Sequence, residues 1–287
     1  MILPLNIKEY YRIKILAWSG FPFSDYNSPL IKNHKKLLKE NFEDLWNNIL
    51  SKLVNVDCIV LNNQPENILS QKNPFYNYLK NDLIDEYYGI KLNQNLEFKK
   101  KELDNINYQT NRLKNLGELS FKIAENDHEK KEIIDFIIQN KSKQYDNTKA
   151  WNLFKDNFCK DFFISSNLKI KKKIFITYLK LNNDILAAHS GYIYNNMCYY
   201  LFPAYNLKYK KYSPGKILLK KIIDQTKSNL VRYFDLTIGS ENYKKSFANN
   251  KSYSAQFLKS LSLKGSFYIL LLKIKFFLKK ILKGQIF

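Results

Sequence analysis

The chain contains little cysteine, and its three cysteines lie far apart in the sequence, at Cys58, Cys159 and Cys198. None belongs to a C-x-x-C pair or has a neighbouring histidine, so neither a zinc site nor a disulfide framework is expected. We therefore predict buried thiols in a reducing cytoplasm, and no bound metal. The amino-terminal segment has no basic stretch followed by a long apolar run, so no secretory signal is predicted.

Arginine is scarce, although the formal net charge is +21 at pH 7. Only Arg12, Arg112 and Arg232 occur, whereas bidentate recognition of phosphate and guanine favours arginine. The positive charge comes mainly from lysine. We interpret it first as a solvated surface, second as attraction to an anionic cofactor or a membrane, and only third as a nucleic-acid surface.

Motifs of several enzyme classes are missing as well. Ser190-Gly191 lacks the G-x-S-x-G pattern of a nucleophile elbow, and no cysteine has the histidine and acid partners of a covalent mechanism. Neither a Walker loop nor a dinucleotide-binding glycine fingerprint occurs. A covalent hydrolase, a P-loop NTPase and a Rossmann dehydrogenase are therefore not expected.

The composition and the length are those of a folded protein with two domains. The 287 residues include 45% hydrophobic and 15% aromatic side chains, which is typical of globular chains. We predict a first domain over residues 1–115, a second over 116–260, and a basic amphipathic helix over 261–287.

The first domain is predicted to hold a strand at 12–18, a helix at 32–53 and a short buried strand at 56–61. The inner face of the helix would carry Leu37, Leu38, Phe42, Leu45, Trp46 and Ile49. The aromatic loop from Trp18 to Tyr26 either packs in the core or covers an acceptor, and both remain open. A lysine-rich helix over 94–116 then joins the two halves.

The second domain reads strand, helices, three meander strands, helix, strand and helix. The three β-rich runs, at 174–181, 185–194 and 197–202, are separated by short Asn-rich turns, which predicts adjacent antiparallel strands. A strand at 118–124 and two helices, one capped by Asp127 and one at 150–163, precede them.

A helix in the second domain starts at Tyr212-Ser213-Pro214-Gly215-Lys216. Ser213 is a suitable N-cap, Pro214 suits the first helical position, and Gly215 carries no side chain. Such a start presents several free N–H groups and a partial positive charge to an anion, so we predict a pyrophosphate site there.

An apolar strand at 231–238 with one acid, Asp235, follows this helix. Gly239-Ser240 then breaks the strand and is predicted to cap a helix that carries Glu241, Tyr243 and Lys244. The order Y-S-P-G-x-x-L-L, then F-D-x-x-x-G-x-E-x-Y-K, resembles the GNAT acetyltransferases typified by the cellulose-biosynthesis protein CelD, relatives of the FemAB peptidyltransferases. The resemblance is densest over residues 117–247.

This resemblance implies an α/β (α+β) fold of two GNAT-like halves, the first degenerate and the second complete, on a mixed, mainly antiparallel sheet flanked by helices. It implies acetyl-CoA or another acyl-CoA as cosubstrate, with its pyrophosphate on Ser213, Pro214 and Gly215. The usual GNAT phosphate loop is richer in Arg and Gly than this one. The neighbouring residues Lys208, Lys210, Lys211, Tyr212 and Lys216 would therefore have to contribute.

Direct acyl transfer needs a base, an oxyanion donor and an acid for the departing thiolate. Asp235 is the candidate base, because it lies where the resemblance implies that two central strands part, and burial would raise its pKa. Tyr243 would protonate the thiolate or hold the acceptor, and His189 on the middle meander strand is a third catalytic candidate. Glu241 and Lys244 would bind the substrate.

Each of these residues also has a purely structural interpretation. Asp235 could be a capping or ion-paired carboxylate, and a lone histidine in a strand, such as His189, is usually a hydrogen-bonded core residue. Glu241 is favoured at a helix start by the dipole alone. Tyr243 and Lys244 could be surface residues of an amphipathic helix.

Together these features predict a cytoplasmic, acyl-CoA-dependent N-acyltransferase that transfers directly to an amine. By resemblance, the acceptor would be a nucleotide- or lipid-linked amino sugar in cell-surface polysaccharide assembly. Two alternatives stay open. One is a FemAB-like transferase that takes its aminoacyl group from charged tRNA through the basic surface. The other is a non-catalytic protein that recruits partners to a membrane.

Residues 266–287 differ in kind from the rest of the chain. Their apolar side chains fall at helical spacing, and lysines interrupt them too often for a spanning helix, which needs about 20 consecutive apolar residues. We predict either a helix lying on the inner face of an acidic membrane or an amphipathic helix docked on protein.

Overall fold

The computed structural model describes residues 1–20, 23–32, 39–68, 71–92, 98–170, 173–228, 231–239 and 241–282. The chain forms two compact units, one made of residues 1–87 and 252–287 and the other of residues 88–251. The division into domains at 115 and 260 remains a prediction.

The strands are β1 (Leu5–Tyr10), β2 (Ile13–Trp18), β3 (Cys58–Pro65), β4 (Asn67–Ile68), β5 (Gln71–Lys72), β6 (Leu83–Lys91), β7 (Leu119–Ile123), β8 (Ile174–Leu181), β9 (Asp184–Tyr194), β10 (Met197–Tyr205), β11 (Tyr233–Ile238) and β12 (Asn250–Ser260). The helices are α1 (Lys39–Ser51), α2 (Pro74–Asn77), α3 (Lys100–Lys114), α4 (Asp127–Asn147), α5 (Asn157–Lys169), α6 (Pro214–Ser228), α7 (Asn242–Phe247) and α8 (Leu263–Leu282). Short 3₁₀ turns lie at Leu153–Lys155 and Leu207–Tyr212. No helix in the described part of the chain is both long and apolar enough to cross a membrane.

The first unit is built on a mixed sheet with an aromatic core. β1 pairs antiparallel with β2, β2 parallel with β3, and β3 antiparallel with β12. Phe75 is the centre of the core, with edge-on rings of Trp18, Phe42 and Trp46 at centroid distances of 5.3, 5.1 and 5.1 Å. Trp18, at the start of the aromatic loop, therefore packs in the core.

Several predictions for the first unit need correction. β1 was missed, because half of its sequence LNIKEY is polar and its alternation of apolar and polar residues breaks at Glu9. The described part of the helix is Lys39–Ser51, Lys32 is not helical, and Leu37 and Leu38 lie outside the described residues. Leu45, predicted to face inward, is 40% exposed. β3 continues to Pro65, beyond the predicted end at residue 61.

The second unit carries the predicted meander. β7, β8, β9 and β10 pair antiparallel in chain order, and β10 pairs parallel with β11. α6 covers this sheet through the predicted stripe at i,i+4 spacing, since Leu218, Leu219, Ile222 and Ile223 are fully buried. The predicted fold class, a mixed and mainly antiparallel sheet flanked by helices, is confirmed, as is the predicted order of these elements.

Some boundaries in the second unit were wrong. α3 begins at Lys100, and residues 93–97 of the predicted helix lie outside the described residues. α4 is capped by Asn126 instead of Asp127, because the Asn126 side chain accepts the Glu129 N–H at 2.9 Å. α5 begins only at Asn157, after the 3₁₀ turn. The predicted burial of all three cysteines is confirmed, and all three are free thiols.

Candidate functional site

β10 and β11 are paired over a short distance only. Their parallel ladder ends where Tyr199 lies opposite Asp235. β10 nevertheless continues to Tyr205, and β11 continues to Ile238. The two strands therefore lose their pairing near the middle of the sheet, in agreement with the expected parting of the central strands.

A pocket of about 630 Å³ opens beside this point, entirely within the second unit. α4, β10, the start of α6 and the segment leading into α7 supply its wall. Its volume is in the range of small-molecule and cofactor sites. The wall contains these predicted site residues: Ser213, Pro214, Gly215, Lys216, Glu241 and Tyr243. The predicted phosphate turn and two of the predicted acceptor-side residues thus face one space.

Ser213 has a left-handed backbone conformation, with φ 51° and ψ 46°. This conformation is strained for a residue with a side chain, and such strain often occurs at functional sites. The Ser213 carbonyl accepts hydrogen bonds from Lys216 N at 3.0 Å and Ile217 N at 3.3 Å. Pro214 has no N–H. Among the described residues of this turn, the Gly215 N–H is therefore the one amide that lacks a backbone acceptor. The turn offers fewer free amides than we expected.

Lysines add positive charge to this side of the pocket. Lys210 and Lys216 lie in the wall. Lys216 Nζ is 2.7 Å from Glu102 Oε1, whereas Lys210 has no ion-pair partner in the described part of the chain. Lys211 and Tyr212, both predicted to bind the cofactor, lie outside the wall, with Lys211 Nζ 5.1 Å from the centroid of the buried Tyr212 ring.

Glu241 and Tyr243 form another part of the wall, at the entry to α7. Burial is the main cause that raises the pKa of Tyr243 well above its ordinary value, and the nearby Tyr200 and Glu241 add to it. The phenol therefore stays protonated. Lys244 is buried behind the wall, where Nζ donates to the Ile238 carbonyl at 2.7 Å and lies 3.1 Å from Glu241 Oε2. Lys244 therefore holds the chain that presents Glu241. Ser240, the predicted cap, lies outside the described residues.

Asp235 is also buried and is not part of the pocket wall. Its Oδ1 accepts the Thr237 N–H at 2.7 Å. Thr237 has φ 62°, which is unfavourable for a β-branched residue. The carboxylate thus stabilises a strained turn of β11 just beyond the end of the ladder.

His189 lies outside the wall too, but it supports a residue that belongs to it. Its ring stacks on Tyr200 with centroids 4.5 Å apart and planes 14° apart. Burial lowers the pKa of His189 to about 3, although a hydrogen bond with the Tyr199 backbone raises it. The imidazole is therefore neutral at any physiological pH.

We expect the free energy of unfolding to depend on pH through His189. The pKa of His189 is lower in the folded protein than in the unfolded chain. Its contribution to stability is therefore present above pH 6.5 and is lost as the pH falls and the histidine of the unfolded chain takes up a proton. Between pH 7 and pH 5 the loss is about 2 kcal/mol. Urea unfolding at both values should show this loss in the wild type and in a control, exposed His128→Asn, but not in His189→Phe. Equal losses in all three proteins would contradict a neutral buried imidazole.

Lys141 of α4 is a wall residue that the sequence did not single out. Its Nζ donates to the Pro203 carbonyl at 3.2 Å. Burial lowers the pKa of Lys141 to about 8, although the Glu241 carboxylate raises it. The available signal was spacing, since Lys141 follows the buried Ile138 by three residues on the same helix face.

Comparison with known proteins agrees with this geometry. The family described as "Acetyltransferase (GNAT) domain" matches residues 100–245. No curated protein sequence matches significantly. Among solved structures, FemX is similar with a TM-score of 0.58 at 9% identity, covering 89% of this chain and 84% of that chain. L-PGS from Bacillus licheniformis is similar with a TM-score of 0.57 at 11% identity, covering 93% and 84%.

At such low identities the solved structures show a shared fold and nothing more. The family match is stronger, because it covers just over half of the chain and contains every residue of the pocket wall. The chain therefore belongs to the GNAT acetyltransferase family, and the protein is an acyltransferase.

Proposed function

We propose that the protein is an acyl-CoA-dependent N-acyltransferase of the CelD type that passes an acetyl or other acyl group directly to an amine. The observation that carries the proposal is the single pocket wall shared by the α6 start and the Glu241–Tyr243 segment. The diphosphate of CoA would accept a hydrogen bond from the Gly215 N–H. The positive end of the α6 dipole and the ammonium of Lys210 would attract its charge. The thioester would then lie near the end of the β10–β11 ladder.

In the proposed reaction the acceptor nitrogen attacks the thioester carbonyl carbon. The N–C bond forms, the C–S bond breaks, and the nitrogen loses a proton. Lys141 is the proposed proton acceptor, because a lysine with a pKa of about 8 is partly neutral under physiological conditions. Tyr243, whose phenol stays protonated, donates a hydrogen bond to the departing sulfur, and the thiolate then takes its proton from water. Asp235 keeps a positioning role in this proposal, because it lies behind the wall and holds Thr237.

The acceptor side of the pocket suits an amine carried by a polar molecule. The Glu241 carboxylate attracts an ammonium group, and Gln144 and Thr148 of the same wall offer polar side chains. We propose a nucleotide- or lipid-linked amino sugar, as the resemblance to CelD implies. Such a reaction would contribute to cell-surface polysaccharide assembly from the cytoplasmic side, where acyl-CoA is made.

A second candidate is a transferase that takes an aminoacyl group from charged tRNA. The similarity in fold to FemX over most of the chain supports it, as does the net charge of +21. It predicts salt-sensitive binding of tRNA and no affinity for CoA.

Calorimetry with CoA, and thiol release from acetyl-CoA with a panel of nucleotide-linked amino sugars, separate the two candidates. We expect CoA to bind, and thiol release to require an amino sugar. Absence of CoA binding together with tight, salt-sensitive binding of charged tRNA would favour the second candidate.

Adjacent lysines provide a matched pair of variants for the phosphate site. Lys210 lies in the wall and Lys211 does not, so Lys210→Gln should weaken CoA binding about fivefold, the effect of one exposed charge near a phosphate. Lys211→Gln should leave the dissociation constant unchanged. Equal weakening by both substitutions would indicate diffuse attraction by the basic surface instead of a defined site.

A further inference from the structure

α8 is docked on the first unit through one face only. Ile269 is buried against Ile15 and Cys58. Gly265 lies so close to the neighbouring loop that a Cβ there would be 1.9 Å from the Asp57 carbonyl oxygen. This inner face agrees with the prediction that the helix docks on protein, and it leaves the opposite face uncovered within the described residues.

The opposite face of α8 carries a row of exposed apolar side chains, which we call the outer stripe. Its members are 47–62% exposed: Phe267, Leu270, Leu271, Ile274, Phe277 and Leu278. At about 100° per residue they fall within an arc of about 120°, directly opposite Gly265 and Ile269. An exposed apolar stripe of this length on a folded protein indicates an interaction surface.

Lysines border the outer stripe on both sides. Helical spacing puts Lys264 and Lys275 along one border and Lys273 and Lys280 along the other. Lys273 Nζ is 2.9 Å from the Asp82 carboxylate. Hydrogen bonds to its carboxylate are the main cause that lowers the pKa of Asp57, and the charge of Lys264 adds to it. Lys275 forms no ion pair in the described ranges. α8 contains no acidic residue. The surface is therefore apolar along its centre and cationic along its edges.

A tyrosine-rich hairpin tip extends this surface. The Tyr10 ring lies 6.4 Å from the Tyr268 ring of α8, and the adjacent Tyr11 is 83% exposed at the turn between β1 and β2. Tyrosine combines an apolar ring with a polar hydroxyl and is enriched at the boundary between lipid and water.

We propose that the outer stripe binds the interface of an anionic lipid bilayer. The apolar side chains would enter the boundary of the acyl chains, and the bordering lysines would lie at the level of the lipid phosphates. A second copy of the chain is a poorer occupant, because stripe-to-stripe contact would bring together the lysine borders of two molecules that each carry a net charge of +21. This proposal does not depend on the identity of the acyl donor or acceptor.

Sedimentation with lipid vesicles tests the proposal. The wild type should bind vesicles of phosphatidylglycerol mixed with phosphatidylcholine, and should bind pure phosphatidylcholine at least tenfold more weakly. A stripe variant with Leu271, Ile274 and Leu278 replaced by Gln should bind the anionic vesicles at least tenfold more weakly than the wild type. A border variant, Lys264→Glu with Lys275→Glu, should weaken that binding to a similar degree, because lysines near an anionic surface each add to the attraction.

A matched control removes exposed apolar side chains elsewhere, by Gln substitution of Leu116, Phe158 and Phe162 in the second unit, which are 53%, 76% and 46% exposed. It should bind vesicles as the wild type does. Circular dichroism and CoA calorimetry on every variant check that the fold and the acyl-CoA pocket are unchanged. Wild-type vesicle binding by the stripe variant overturns the proposal. Failure of the wild type to bind anionic vesicles also overturns it. If sedimentation then shows a dimer that the stripe variant abolishes, the stripe binds a second copy of the chain instead.

Discussion

The Gly215→Asp variant is expected to be at least as stable as the wild type and yet to bind CoA about 100-fold more weakly. The substitution fits the fold, because a Cβ at Gly215 would lie 3.7 Å from Tyr205 Cδ1, an ordinary contact distance. An acidic side chain in the first turn of α6 interacts favourably with the helix dipole, by about 0.3–1 kcal/mol. Replacing a glycine also restricts the unfolded chain, which stabilises the fold further where the native backbone is not strained.

The loss of CoA binding has a separate cause. Gly215 and Lys210 both lie in the pocket wall, so a carboxylate at position 215 would occupy the proposed diphosphate position and repel the diphosphate. Gly215→Ala is the matched control, because it adds the same Cβ without the charge and should weaken binding by no more than about tenfold. Thermal unfolding and calorimetry measure the two effects independently. Undiminished CoA binding by Gly215→Asp would mean that the diphosphate binds elsewhere.

Local sequence patterns predicted much of the second unit correctly. α6 was predictable because its apolar residues repeat at i,i+4 and its first residue is Pro214. The meander was predictable because Asn-rich turns separate β8, β9 and β10. By contrast, β12 was missed, since its segment NKSYSAQFLKS has few apolar residues and is stabilised by pairing with β3, almost 200 residues earlier in the chain.

The candidate site was predictable only where it depends on contiguous sequence. The turn at Ser213 and the pair Glu241 and Tyr243 each follow a recognisable strand end, and the structure brings them together in one wall. The inward or outward direction of His189 and Asp235 could not be predicted, because β9 and β11 are buried on both faces and show no alternation. The spacing from Ile138 puts Lys141 on the inner face of α4, but the position of that face against β10 depends on packing that no local pattern specifies.

We expect Lys141→Arg to lower the turnover number about 100-fold, within the range of general acid–base catalysis, while leaving CoA affinity unchanged. With a pKa of about 8, Lys141 becomes increasingly neutral as the pH rises through that value. The wild-type rate should therefore rise with pH up to about 8 and then level off. An arginine keeps the positive charge but does not release its proton in this range, so the rise centred near pH 8 should disappear in the variant.

Lys143→Arg is the matched control, because Lys143 is an exposed residue of the same helix and lies outside the pocket wall. It should keep both the wild-type rate and the wild-type pH profile. Steady-state turnover between pH 6 and pH 10 with a saturating amine acceptor provides the measurement. If Lys141→Arg retains full turnover, Lys141 acts through its charge and not as the proton acceptor. Glu241, a carboxylate of the same wall, then becomes the candidate acceptor. A rise near pH 8 that survives in the variant would assign that ionisation to another group, such as the acceptor amine itself.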